Sequence, residues 1–166
     1  MRYPAGIAFV RIIACALAAF TTAVAIAAAP KTHAADEVQR GKYIVRTAGC
    51  NDCHTPGYVE TAGKVAEEKW LVGSPLGWRG PWGTTYASNL RLSVWSMSED
   101  KWAKHARMER RPPMPWFNVR DMSERDVRAI YRYIRSLGPA GDPAPAWVPP
   151  ERAPGGPYVQ FPAQPK

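Results

Sequence analysis

Residues 50–54 read CNDCH. The two cysteines stand three positions apart, about one helical turn, and a histidine follows the second directly. Four kinds of chemistry use paired cysteines. An exported chain would pair them as a disulfide, but that leaves the adjoining histidine without a role. A structural zinc site wants four ligands, and beyond residue 34 the sequence offers one other histidine, His105, and no other cysteine. A thioredoxin-type C-x-x-C wants a βαβ setting, whereas the flanks here read as helix and loop. The fourth kind is the C-x-x-C-H pattern of covalent haem c attachment. Two thiols one turn apart can add to the two vinyl groups of one porphyrin, and the next histidine then presents Nε2 to the iron. The motif assigns Cys50 and Cys53 to one covalently bound haem c, and His54 to its iron as proximal ligand.

An iron held by His54 has a sixth position. Beyond residue 34 the candidates are Met97, His105, Met108, Met114 and Met122. Met97 precedes a predicted helix, His105 and Met108 lie within it, and Met122 sits at a helix cap. Met114 stands in "RRPPMPW", residues 110–116, with prolines at 112, 113 and 115. Methionine is the most pliable apolar side chain, and proline reduces the backbone freedom lost on folding. Freezing the backbone around a soft thioether suits a sulfur that must sit at bonding distance. Met114 is therefore the expected distal ligand, with ordinary core filling as the alternative, and His105 is expected at the surface.

Around this centre the chain divides into three. Residues 1–34 open with Arg2, continue through an Ala-rich apolar run over 12–29, and end in "THAAD" with an A-x-A-like cleavage site. This is the layout of a secretory signal peptide. An uncleaved anchor is the competing reading. A lipobox around Cys15 is disfavoured by Arg11 and by an apolar run that follows the cysteine. Cleavage after Ala34 would remove three of the 22 basic residues and none of the 14 acidic, leaving a formal +5. A basic surface steers acidic partners, but export and the lack of a base-reading helix argue against nucleic acid.

Residues 35–139 form the expected domain. In "DEVQRGKYIVRTAG", Asp36 and Glu37 suit a helix start, Gly49 its end, and Val38, Gly41, Ile44, Val45 and Ala48 share one face. The mid-helix glycine costs about 1 kcal/mol against alanine, which calls for a closely approaching partner. Residues 55–92 are rich in Gly, Pro and Trp and read as ordered loop with at most one short helix. Ser98 caps a helix that Pro112 and Pro113 terminate. Ser123 caps the clearest helix, with Val127, Ile130, Tyr131, Ile134 and Leu137 as its apolar stripe and Gly138-Pro139 as its stop. Residues 140–166 form a proline-rich tail, read as irregular or polyproline-like; Trp147, Tyr158 and Phe161 are placed to pin it to the domain, the alternative being a flexible end.

"RGKYIVRTAGCNDCHT", "SNL", "MPW" and "SERDVRAIYRYIRSLGP" occur in the order found in class I c-type cytochromes. The chain resembles the single-haem proteobacterial type, and also individual haem domains of cytochrome subunits of periplasmic dehydrogenases, over about residues 38–139. It departs from them at "NLRLSVWSM", where those domains carry a longer stretch. The resemblance implies an all-α class I cytochrome c fold, a small helical shell around one haem, with first and last helices crossing so that Gly41 and Val45 meet Ile130 and Tyr133. It implies His54/Met114 ligation, as in cytochromes c. Trp78, Trp82, Tyr86 and Asn89 are candidates to line the haem, and Arg79 and Arg91 to pair with its propionates. The expected function is periplasmic one-electron transfer between a dehydrogenase donor and an oxidase or reductase acceptor, with a membrane involved only if the leader stays uncut. The alternatives are an electron-transfer subunit of a dehydrogenase complex, or a haem enzyme or gas sensor with an open sixth site.

Overall fold

The computed structural model describes residues 33–162. The expected leader therefore lies outside the described residues, apart from His33 and Ala34, which begin the first helix. Six helices follow in order: α1 His33–Thr47, α2 Cys50–His54, α3 Leu90–Trp95, α4 Glu99–Ala106, α5 Trp116–Asp121 and α6 Glu124–Ser136. A single 3-10 turn, Glu67–Lys69, and three short strands, β1 Gly77–Gly80, β2 Gly83–Tyr86 and β3 Tyr158–Gln160, complete the described chain. No helix among the described residues is long and apolar enough to cross a membrane.

The core is the contact between α1 and α6. Val45, Val127 and Ile134 are wholly buried there, with Ile44, Ile130 and Tyr133 nearly so. Gly41 sits at the crossing. A Cβ on it would lie 2.0 Å from the Ala129 carbonyl oxygen and 2.8 Å from the Tyr133 Cβ. The costly glycine is thus explained by close approach, as expected, but the nearest neighbour is the Ala129 backbone rather than the Ile130 side chain. Ser123 caps α6 by accepting from the Asp126 amide at 3.1 Å. Glu37, expected only as a favourable charge at a helix start, is buried on the same face and accepts from Arg125 Nε at 2.9 Å. A buried carboxylate needs such a partner.

Two features outside the core go beyond the sequence reading. The glycine-rich stretch holds a hairpin: β1 and β2 pair antiparallel, with Gly77 opposite Tyr86 and Gly80 opposite Gly83. The tail, within its described residues 140–162, is held against the hairpin, along one of the two lines expected. β3 adds in parallel to β1, with Trp78 opposite Val159, giving the strand order β2-β1-β3. Val148 pairs with Thr84 in both directions, at 2.7 and 3.0 Å. Of the three aromatics expected to pin the tail, Trp147 donates to the Trp82 carbonyl at 2.9 Å and Phe161 packs on Trp78 and Trp82. Tyr158 is half exposed and contributes its backbone to the strand.

Candidate functional site

The helix turn that carries the cysteines starts abruptly. Gly49 takes a left-handed conformation, φ 73°, and α2 begins at the next residue. One turn of helix then sets both thiols and the imidazole toward a single cavity of about 430 Å3. That volume falls in the range of roughly 300–1,000 Å3 usual for small-molecule and cofactor sites. Cys50, Cys53, His54 and Met114 all line it. Neither cysteine is in a disulfide. Burial pushes the Cys50 thiol up to about 11 and raises Cys53 as well.

His54 is buried, and its Nδ1 lies 2.7 Å from the Ser88 carbonyl oxygen. A carbonyl only accepts, so Nδ1 carries the proton and the neutral ring keeps its lone pair on Nε2. Burial lowers the imidazole pKa against the opposing pull of that bond, which favours the neutral, ligating form. The Ser88 carbonyl is itself held in place. Residues 71–74 lie between the two segments: Gly73 N donates to the His54 carbonyl at 2.9 Å, and Ser74 N to the Ala87 carbonyl at 3.0 Å. Leu71, wholly buried at φ 62°, donates its amide to the Thr55 hydroxyl (2.8 Å) and accepts from the Leu90 amide (3.0 Å). A non-glycine residue in that conformation costs about 1–3 kcal/mol and persists where its surroundings over-determine it.

Met114 is fixed from both sides. Upstream, the Thr85 hydroxyl on β2 donates to the Pro112 carbonyl at 2.7 Å, and the Arg110 guanidinium donates to the His105 carbonyl at 2.6 Å. Downstream, the Trp116 amide donates to the Met114 carbonyl at 2.9 Å, just where α5 begins. The stiff proline segment is therefore anchored to the hairpin and to α4.

The softer expectations divide. Trp78 and Tyr86 line the cavity. Trp82 and Asn89 do not. Trp82 faces the tail, and Asn89 caps α3 and donates to the Ala140 and Asp142 carbonyls at 2.8 and 3.1 Å. Arg79 and Arg91 are structural cations. Arg79 donates to the tail carbonyls of Pro150 and Arg152 at 2.9 and 2.8 Å. Arg91 is buried and donates to the carbonyls of Glu68, Leu137 and Gly138. The cations at the cavity are Arg110 and Arg111, which the sequence displayed beside Met114 without marking them. His105, expected at the surface, is half-buried and lines the cavity, as does Met122.

The donor set fits a haem. Two thiols, a neutral imidazole nitrogen and a thioether converge on one cavity, and imidazole and thioether are the soft and borderline ligands that iron porphyrins take. Comparison with known proteins agrees. A nicotinate dehydrogenase polypeptide of Pseudomonas putida, one of that enzyme's subunits, is 26% identical over 121 residues, covering 66% of this chain and 9% of that protein. The chain thus spans about a tenth of the length of that relative. No solved structure matches. The family model for Cytochrome c matches residues 38–138, the stretch that carries most of α1, all of α2 through α6 and most of the cavity lining, and the chain belongs to the cytochrome c family.

Proposed function

We propose that this chain is a periplasmic one-electron carrier holding a single covalent haem c, with thioether links to Cys50 and Cys53, His54 as proximal ligand and Met114 as distal ligand. The observation that carries the reading is the His54–Ser88 bond. It fixes the tautomer and aims an unprotonated Nε2 at the cavity that both thiols and the Met114 segment share. A hydrogen bond to the far nitrogen of a ligating imidazole orients the ring and raises its basicity.

When bound, the haem supplies a reversible ferric–ferrous couple. The chain's residues do the rest. Cys50 and Cys53 retain the cofactor. His54 and Met114 would both hold the iron and leave no open site for a substrate, and thioether ligation would raise the potential. The anchored 110–116 segment would hold the Met114 sulfur in place and so limit reorganisation on electron exchange. Basic residues around the cavity favour weak, fast encounters with acidic faces of a dehydrogenase donor and an oxidase or reductase acceptor. A second reading, an electron-transfer subunit within a dehydrogenase complex, draws on the relative named above, itself a dehydrogenase subunit.

Covalent attachment is tested by denaturing the protein expressed with haem c maturation and measuring its mass. A chain carrying one haem after denaturation, and losing it in the Cys50→Ala/Cys53→Ala double variant, supports the reading. Haem that dissociates on denaturation contradicts it. Recovery of the protein in the periplasmic fraction, with a new N-terminus near Ala35, tests export.

A further inference from the structure

The family match ends at residue 138, but the cavity does not. Pro145 and Trp147, from the segment that follows, line it beside Arg111. The Arg111 guanidinium lies 4.2 Å from the centre of the Trp147 ring, the distance of a cation–π contact. Arg111 stands three residues before Met114, so the stack joins the tail to the segment that carries the methionine. The hairpin is shaped to receive this tail. Gly83 turns at φ 91°, and a Cβ there would lie 2.3 Å from the Val148 carbonyl oxygen and 2.8 Å from Trp147 Nε1. The Trp147 indole N–H is satisfied by the Trp82 carbonyl, so its ring orientation is set rather than free. Beyond it, the Arg79 bonds to Pro150 and Arg152 and the β3–β1 pairing hold the segment down.

We propose that Trp147 is a positioning residue of the haem site: it borders the cavity mouth beside the methionine segment and holds the Arg111 guanidinium there. The inference rests on the haem reading above. Its consequence is electrostatic. The oxidised state carries one more positive charge than the reduced state. A nearby cation disfavours it, so an intact stack raises the reduction potential.

The test uses the full, haem-loaded chain and an optical redox titration. Trp147→Ala should shift the oxidised-to-reduced ratio at fixed potential about tenfold toward oxidised, a fall of about 59 mV for a one-electron couple. Trp147→Phe keeps a ring for Arg111 but loses the bond to the Trp82 carbonyl, and should fall between wild type and Trp147→Ala. Arg111→Gln should move the potential in the same direction as Trp147→Ala, and the double variant should fall short of the sum, because the two act through one stack. Tyr158→Ala, in the same tail but outside the cavity, should lower the melting temperature without moving the potential. A wild-type potential in Trp147→Ala overturns the proposal, as does an equal shift in Tyr158→Ala, which would reduce the tail to a stabilising clamp. A wild-type chain that takes up no haem overturns the haem reading itself, and this proposal with it.

Discussion

Gly41→Ala adds a single methyl group at the helix crossing that frames the site. The new carbon would stand 2.0 Å from the Ala129 carbonyl oxygen, where ordinary contact is 3.4–4 Å. The obstacle is backbone, so no rotamer change relieves it, and α1 must move away from α6. That displacement loosens the packing of Ile44 and Val45 against Val127, Ile130 and Ile134. Overpacking a tight core costs about 1–3 kcal/mol, and a rigid carbonyl puts this site at the upper end, about 3. Alanine returns about 1 kcal/mol of helix propensity. The net loss is about 2 kcal/mol. At roughly 3–5 °C per kcal/mol for a domain of this size, the melting temperature should fall by about 6–10 °C. Far-UV circular dichroism of the haem-loaded protein during heating measures it. Gln39→Ala, on the exposed face of the same helix, supplies the control and should change little. A Gly41→Ala protein that melts at or above the wild-type temperature would refute the reasoning, because propensity alone would then account for the position.

Arg91→Ala removes three charge-assisted bonds to the carbonyls of Glu68, Leu137 and Gly138. Stranding buried acceptors costs about 1–3 kcal/mol each, so chemical denaturation should show a loss of at least about 3 kcal/mol, with the haem spectrum of the folded fraction unchanged. Thr85→Val breaks the bond from the hairpin to Pro112. Stability should drop by about 1 kcal/mol, and, under the proposed Met114 ligation, added imidazole should displace the sulfur at lower concentration than in wild type, as read by optical titration. Acid should weaken the fold. The hydrogen bond from Arg40 holds the Asp126 carboxyl below its usual range, with Ser123 assisting. A depressed carboxylate contributes stability that is fully present above its unfolded pKa, about 3.9, and is lost as pH falls through its lower folded value. Melting temperature should therefore decline below about pH 4, and Asp126→Asn should flatten that decline.

Local chemistry made the helices and the attachment turn legible in the sequence. α6 declares itself through the Ser123 cap and an apolar stripe at helical spacing, and CNDCH carries its chemistry within five residues. What stayed hidden depends on distant partners. The hairpin reads as loop because GWRG and GTTY lack alternation and are full of glycine. They pair because Gly77 and Gly83 make room for neighbours, including a tail some 65 residues further on. The tail's prolines suggest an irregular end, and nothing local marks Val148 as a partner for Thr84. Arg79 and Arg91 resemble propionate anchors in one dimension. In three they satisfy carbonyls of the tail and of the end of α6. Arg110 and Arg111 reach the cavity only because the Met114 segment folds over it. α5 escapes notice because six residues are too few to display a periodic face.

As proposed, His54 and Met114 would both ligate one iron. The absorption spectrum of the ferric, haem-loaded protein tests it most directly. A sulfur–iron charge-transfer band should be present in wild type, persist in Met122→Leu, and vanish in Met114→Ala. A ferric wild-type spectrum without that band, or a band that survives Met114→Ala, would contradict it.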